Sequence, residues 1–124
     1  MSTRSKHANR IFDTIRDEGR PLSADEVRDL LRDTGVGQAT VYRVLSAGVD
    51  EGLLKRVDLP NEPSRFEPSE LPHHHHFQCD VCGKVYDIEG CPGDLSGMLP
   101  AGFRLRSHDI TLRGECAECR RAAS

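Results

Sequence analysis

Two pairs of cysteines, each with two intervening residues, are the groups in this 124-residue chain whose spacing most directly indicates chemistry. The first pair is Cys79 and Cys82, and the second is Cys116 and Cys119. A CxxC turn brings two thiolates together, and two such turns supply the four sulfur ligands of a tetrahedral zinc site. Gly83 follows the first pair and suits a turn that needs a positive φ. The spacing therefore predicts a structural Zn²⁺ bound by all four of these cysteines.

Two disulfides, or four unrelated buried thiols, are the alternative interpretations of the same cysteines. The sequence shows no secretory signal and no apolar run long enough to span a membrane, so we expect a cytoplasmic protein with no membrane partner. Disulfides are disfavoured in a reducing cytoplasm. Cys91 is the remaining cysteine, and we interpret it as a packed or free thiol rather than a ligand.

Four consecutive histidines precede the first cysteine pair. Side chains alternate between the two faces of an extended strand. His73 and His75 would then point one way, and His74 and His76 the other, which predicts two separate sites with two imidazoles each. An exposed cluster that binds metal only adventitiously is the alternative. The groups elsewhere in the chain that could complete such sites are Glu67, Asp87, Asp94 and His108.

The residues before this metal-binding segment predict three short helices. Apolar positions with helical spacing run over residues 7–18 and again over residues 38–49. Between them, Ser23 and Glu26 form a capping box that opens a second helix, and this helix stops near Gly35.

A predicted hairpin follows the third helix, with strands over 52–59 and 64–67 around a Pro-Asn-Glu-Pro turn. Three helices and a hairpin make a winged helix-turn-helix, and a generic small helical domain is the alternative. Charge does not decide between them, because the chain has a net charge of −3. The polar and basic side chains suited to groove and phosphate contacts are Gln38, Thr40, Tyr42, Arg43, Lys55 and Arg56.

These patterns predict an α+β protein with two small cores, since 36% of its 124 residues are hydrophobic. A winged-helix DNA-binding domain would occupy residues 1–68, and a hinge with two prolines would follow. A small α/β domain, with the four-cysteine zinc site, would occupy residues 73–124. Its predicted strands lie near residues 73–78, 84–88 and 103–112, and its only predicted helix near residues 94–99.

Several segments carry a resemblance to a known family when they are taken in order. They are 39–45 in the third helix, 52–54, 65–67 on the wing, 73–85 and 114–119, with Gly102, Phe103 and His108 between the last two. In this order they resemble the ferric uptake regulator (Fur) family of bacterial metal-dependent repressors. The resemblance covers nearly the whole chain.

The resemblance implies a role for each matching residue. It implies that Cys79, Cys82, Cys116 and Cys119 hold structural zinc. A sensing site for Fe²⁺, Zn²⁺ or Mn²⁺ would consist of Glu67, His74, His76 and Asp87. An additional site in the dimerisation domain would consist of His73, His75, Asp94 and His108. Tyr42 and Arg43 would approach bases and phosphates.

The function implied by this resemblance is that of a homodimeric repressor that binds double-stranded DNA in response to a metal and controls iron or zinc homeostasis. A peroxide-sensing iron-dependent repressor is one alternative, because an aspartate at position 87 is typical of that branch. A zinc-ribbon interaction module is another. We do not expect an enzyme, since the chain has no HExxH pattern and little room for a substrate cleft.

Two departures from the family pattern are visible in the sequence. Family members usually begin with an additional helix, whereas the first predicted helix here starts within ten residues of Met1. Many members also place a histidine ligand just before the second helix. Arg20, Pro21 and Leu22 occupy that place in this chain.

Overall fold

The computed structural model describes residues 6–123, which form two compact units divided between Leu71 and Pro72. The elements of the first unit are α1 (Lys6–Glu18), β1 (Leu22–Ser23), α2 (Ala24–Leu30), α3 (Gln38–Asp50), β2 (Leu54–Val57) and β3 (Arg65–Pro68). Those of the second are β4 (His75–Cys79), β5 (Val85–Ile88), β6 (Thr111–Gly114) and α4 (Ala117–Ala123). None of the helices in this described range is both long and apolar enough to cross a bilayer.

The first unit has its own hydrophobic core, made by one face of each helix and by the small sheet. In α1, Ile11 and Ile15 are fully buried, and Phe12 packs at the edge of the core, as the helical spacing predicts. In α3, Val41 and Leu45 are fully buried. The core residues are Ile11, Ile15, Leu22, Ala24, Val27, Leu31, Val36, Val41, Leu45, Leu54 and Phe66.

The predicted capping box opens α2. The hydroxyl of Ser23 accepts the backbone N–H of Glu26 at 3.2 Å, and the carboxylate of Glu26 accepts the N–H of Ser23 at 3.0 Å. A 3₁₀ turn over Arg32–Thr34 follows the helix and ends at Gly35, whose φ of 74° is left-handed. The α-helix thus ends at Leu30, earlier than the predicted stop near Gly35, and the 3₁₀ turn continues to that glycine. Helix α3 begins three residues after Gly35.

The wing is the predicted hairpin, with β3 in the centre of a three-stranded antiparallel sheet between β1 and β2. The register sets Lys55 of β2 opposite Glu67 of β3. Arg65 of β3 is buried, and its guanidinium lies 3.1 Å from the carboxylate of Glu62 and 3.8 Å from that of Glu26. Glu26 also pairs with Arg20 at 2.9 Å, so ion pairs join the start of α2 to the wing.

The second unit has a sheet in the order β5-β4-β6. Strand β4 pairs antiparallel with β5, which sets His76 opposite Asp87. It pairs parallel with β6, which sets Cys79 opposite Gly114 and so brings the second cysteine pair beside the first. This arrangement explains why metal ligands more than thirty residues apart meet at one strand.

Three predictions for the second unit were wrong in detail. The strand predicted over 103–112 is shorter and later, because only Thr111–Gly114 pairs with β4. The segment near 94–99 is a single 3₁₀ turn, Ser96–Met98, where Gly97 and Pro100 disfavour an α-helix. The helix α4 was missed, although its Ala-, Glu- and Arg-rich sequence has high helix propensity.

Candidate metal centres and nucleic-acid interface

The four predicted zinc ligands lie together at the end of β4, with their sulfur atoms within 4.8 Å of one another. The Sγ atoms of Cys79 and Cys119 are 3.7 Å apart, and those of Cys82 and Cys116 are 3.9 Å apart. Zn–S bonds of about 2.3 Å in a tetrahedron separate the sulfurs by about 3.8 Å. The donor set and its dimensions therefore fit a Zn²⁺ ion. Gly83 has the predicted positive φ, at 79°.

Backbone hydrogen bonds stabilise thiolates within this cluster. The N–H of Cys82, followed by that of Cys116, donates to Sγ of Cys79 and lowers its pKa to about 6. The N–H of Cys119 lowers the pKa of Cys116. A hydrogen bond with the side chain of Cys116 favours the protonated thiol of Cys119 and raises its pKa to about 12. Deprotonation of all four cysteines at this spacing therefore needs a compensating cation.

The second cluster contains His74 and His76, the pair predicted to share one face of the strand. Nε2 of His74 lies 3.2 Å from Nε2 of His76, and Oδ1 of Asp87 lies 3.4 Å and 3.5 Å from these two nitrogens. Nδ1 of His74 is 2.8 Å from the carbonyl oxygen of Pro72, which can only accept, so Nδ1 carries the proton and Nε2 offers a lone pair. Two imidazoles and a carboxylate suit Fe²⁺, Mn²⁺ or Zn²⁺.

Glu67, the fourth predicted ligand of this site, belongs to the first unit. It lies in β3 and its side chain is only 1% exposed. A buried carboxylate is stable only when it is paired, hydrogen-bonded or bound to a metal. Its participation in the sensing site stays a prediction.

The third cluster differs from its predicted composition. The structure brings His73, His75 and His108 together with Cys91, which we expected to be a packed or free thiol. It does not place Asp94 in this group; Oδ1 of that carboxylate instead accepts the backbone N–H of Ser96 at 2.9 Å and its hydroxyl at 2.7 Å. Burial, followed by the charge of His73, lowers the pKa of His75.

Five of the six predicted DNA-contacting side chains are exposed on the first unit, and the sixth, Thr40, is half-buried. Tyr42 is 47% exposed on α3, whereas Val41 and Leu45 of the same helix are buried. Arg43 is also exposed, and its guanidinium donates to the hydroxyl of Thr40 at 3.1 Å. The remaining predicted contacts, Gln38 on α3 and Lys55 and Arg56 on β2, are exposed as well.

The succession of a winged-helix unit and a cysteine- and histidine-rich α/β unit matches one protein family. The model of the ferric uptake regulator family matches residues 3–113. The chain belongs to the ferric uptake regulator family. Among its relatives, the ferric uptake regulation protein of Shigella flexneri is 38% identical over 104 residues, which are 78% of this chain and 69% of that one.

Solved Fur-family structures share the fold. The ferric uptake regulator of Francisella tularensis, solved with iron, has a TM-score of 0.74 and 25% identity, covering 96% of this chain and 95% of that one. A zinc uptake regulator solved with zinc and DNA has a TM-score of 0.60 and 26% identity, covering 96% of this chain and 84% of that one.

This Fur-family chain departs from the usual pattern at the place where many members have a histidine ligand. Pro21 there is among the largest fully buried side chains, and the neighbouring Arg20 is paired with Glu26. Pro21 thus packs in the core, and Arg20 forms an ion pair. A proline has no side-chain donor atom, so it supplies no ligand to a metal.

Cys91 is the residue of these three clusters that sequence reasoning missed. It is sixteen residues from His75 and follows no ligand motif, so spacing alone carries no signal for it. The available signal was that the residue is a cysteine, because a thiol near a histidine run is a candidate ligand for a soft or borderline metal.

Proposed function

We propose that this Fur-family chain is a metal-responsive repressor of metal homeostasis that binds an operator through its winged helix. The observation that carries the proposal is the convergence of His74, His76 and Asp87 on one point in a chain that also has an exposed recognition helix. A zinc-ribbon interaction module would need the four cysteines but would have no use for this cluster or for α3. We propose a cytoplasmic location and no enzymatic activity.

The residues of α3 and the wing would make the contacts to DNA. An exposed aromatic and a guanidinium at Tyr42 and Arg43 suit base edges and phosphates in the major groove. Lys55 and Arg56, exposed on β2, would add phosphate contacts.

His74, His76 and Asp87 would hold the sensed ion, and we propose Glu67 as the ligand from the winged-helix unit. A divalent ion, when bound, supplies bonds that fix the orientation of the two units. A dimer presents two recognition helices, and both reach major grooves on one side of the duplex only when their separation suits the helical repeat. Coupling of about 1–3 kcal/mol would change DNA affinity by roughly 5–150-fold.

We propose a homodimer formed through the second unit. Its described residues bury few apolar side chains, whereas Met98, Phe103 and Leu112 are 78%, 68% and 52% exposed. Exposed apolar side chains that form one patch mark a surface that binds another protein, and we propose that these three do so. Light scattering of the zinc-containing protein should give the mass of two chains.

The direct test measures binding to duplexes selected from a random-sequence pool, with and without Fe²⁺, Zn²⁺ or Mn²⁺. We expect the metal to tighten binding, and His76→Ala to remove this response. His7→Ala is the matched control, because His7 is the one histidine outside the three clusters. Arg43→Ala should instead weaken binding at every metal concentration. An affinity for DNA that none of the three metals changes would contradict the proposal.

The peroxide-sensing alternative has one observation in its favour, which is the aspartate beside both histidines. In that reading, peroxide would react at bound iron and oxidise a neighbouring imidazole. Mass spectrometry of the iron form after peroxide treatment distinguishes the two functions. Unmodified His74 and His76 would remove this alternative.

A further inference from the structure

Three imidazole rings surround the sulfur of Cys91. Its Sγ lies 3.4 Å from Nε2 of His75, 3.7 Å from Nε2 of His73 and 3.3 Å from Nε2 of His108. Bonds of about 2.3 Å to sulfur and about 2.0 Å to nitrogen in a tetrahedral zinc site separate these atoms by about 3.5 Å. The distances from the sulfur to His73 and His108 lie on either side of this value, as expected for groups that share one ion.

His75 differs from the other two rings in its hydrogen bonding. The backbone N–H of Ile110 donates to Nδ1 of His75 at 3.1 Å. A ring nitrogen that accepts a hydrogen bond carries no proton, so the neutral tautomer that this bond requires has its proton on Nε2. That Nε2 faces the sulfur of Cys91, so His75 donates to the sulfur and is not itself a ligand through this atom.

We propose that His73, Cys91 and His108 form an exchangeable site for Zn²⁺, in which Cys91 is a thiolate ligand and His75 is a positioning residue that donates to its sulfur. Three protein ligands leave one coordination position open, whereas structural zinc sites are closed by four protein ligands. Cys91 and His73 are exposed, so water or a small ligand reaches that position.

The thiolate changes the metal that this site prefers. A site completed by the carboxylate of Asp94 would suit Fe²⁺ or Mn²⁺, whereas a thiolate with two imidazoles favours zinc over both. Asp94 is occupied by its two bonds to Ser96, which close the 3₁₀ turn of residues 96–98. The assignment goes beyond the proposed function, because it involves neither the His74–Asp87 cluster nor DNA.

Co²⁺ is a suitable probe because it takes zinc's ligands and has a near-ultraviolet charge-transfer band when a thiolate binds it. The full chain, with one equivalent of Zn²⁺ already in the four-cysteine site, is titrated with Co²⁺ under reducing conditions. We expect a thiolate charge-transfer band in the parent and its loss in Cys91→Ser. Asp94→Ala is the matched control and should keep the band.

Alkylation gives a second readout in the same protein. Cys91 is exposed and should react with iodoacetamide in the zinc-loaded chain, and a second equivalent of Zn²⁺ should protect it, as peptide mass spectrometry would show. A band that persists in Cys91→Ser, the absence of a band in the parent, or its loss in Asp94→Ala would each overturn the proposal. DNA binding is not measured, so these outcomes are separate from those of the proposed function.

The role of His75 has its own test. His75→Ala should retain the band but weaken Co²⁺ binding about 10–100-fold, as expected for loss of an outer-shell hydrogen bond. Because His75 is buried, nitrogen-15 shifts of its ring in the zinc-loaded parent provide a measurement that does not depend on the variant folding. A proton on Nε2 supports the assignment, and a metal-bound Nε2 would overturn it.

Discussion

Glu26 is a single side chain that joins a helix terminus to the wing. Its carboxylate accepts the N–H of Ser23, pairs with Arg20 at 2.9 Å and faces Arg65 at 3.8 Å. Burial raises the pKa of Glu26, but the bonds from Ser23 and Arg20 and the charge of Arg65 outweigh it, so the pKa lies below its ordinary value of 4.5. The ionised form is therefore the one that the folded protein stabilises.

Glu26→Gln should lower the free energy of unfolding at neutral pH by about 1.5–3 kcal/mol, since hydrogen bonds to a charged group are lost. A depressed carboxyl pKa contributes stability that is present above the unfolded value and is lost as pH falls through the folded value. The parent should therefore lose stability as the pH falls below 4.5, and Glu26→Gln should lose less over the same range. Urea unfolding at a series of pH values measures both effects.

Glu18→Gln is the control for this prediction, because Glu18 is exposed at the end of α1. Its effect should stay within about 0.5 kcal/mol. Equal pH dependence in Glu26→Gln and the parent would contradict the assigned role of Glu26.

At the scale of elements, α3 packs closely against α1 and β2 at Gly48. A Cβ at this position would lie 2.8 Å from Cδ1 of Leu54 and 2.9 Å from Cε1 of Phe12. The glycine is buried and lies in the helix interior, where it costs about 1 kcal/mol relative to alanine. We infer that the close approach, rather than helix propensity, is the reason for a glycine here.

Gly48→Val should destabilise the first unit by about 1–3 kcal/mol, because the added carbons overfill the space between α3, α1 and β2. Ala47→Val is the matched control, since Ala47 is exposed on the same helix and the change adds a similar β-branched side chain. Thermal unfolding followed by circular dichroism compares the two. An effect of Gly48→Val no larger than that of Ala47→Val would contradict the close packing.

At the scale of the whole molecule, the two units have unequal cores. The first has eleven buried residues in one hydrophobic cluster, whereas Val85 and the two cysteines Cys79 and Cys116 are the buried apolar residues among those described in the second. Small domains of this kind gain stability from a metal or from dimerisation. The second unit should therefore depend on its zinc for folding.

Removal of the four-cysteine zinc by a chelator should unfold the second unit or dissociate the dimer while the first unit stays folded. Binding free energy at such a site is folding free energy, because the site is absent from the unfolded chain. Hydrogen exchange should show fast exchange of the β4–β6 amides and continued protection of α1 and α3. A chelated protein that remains a folded dimer would contradict this expectation.

The local features of this protein follow from its sequence. Helical spacing predicted the buried face of α1, and a four-residue pattern predicted the capping box of Ser23 and Glu26. The alternation of side chains along a strand predicted that His74 would pair with His76. These features depend on backbone periodicity and nearest neighbours, so short segments contain the necessary information.

The composition of the third cluster was decided only by tertiary structure. The sequence offered Asp94 by resemblance, whereas the fold brings Cys91 to His73 and His108 and leaves Asp94 bonded to its neighbour Ser96. The ring proton of His75 likewise depends on Ile110, thirty-five residues away. Type and spacing thus determined that this chain carries metal ligands. Which ligands share an ion depended on how the loop after β5 packs against β4, and no local pattern determines that packing.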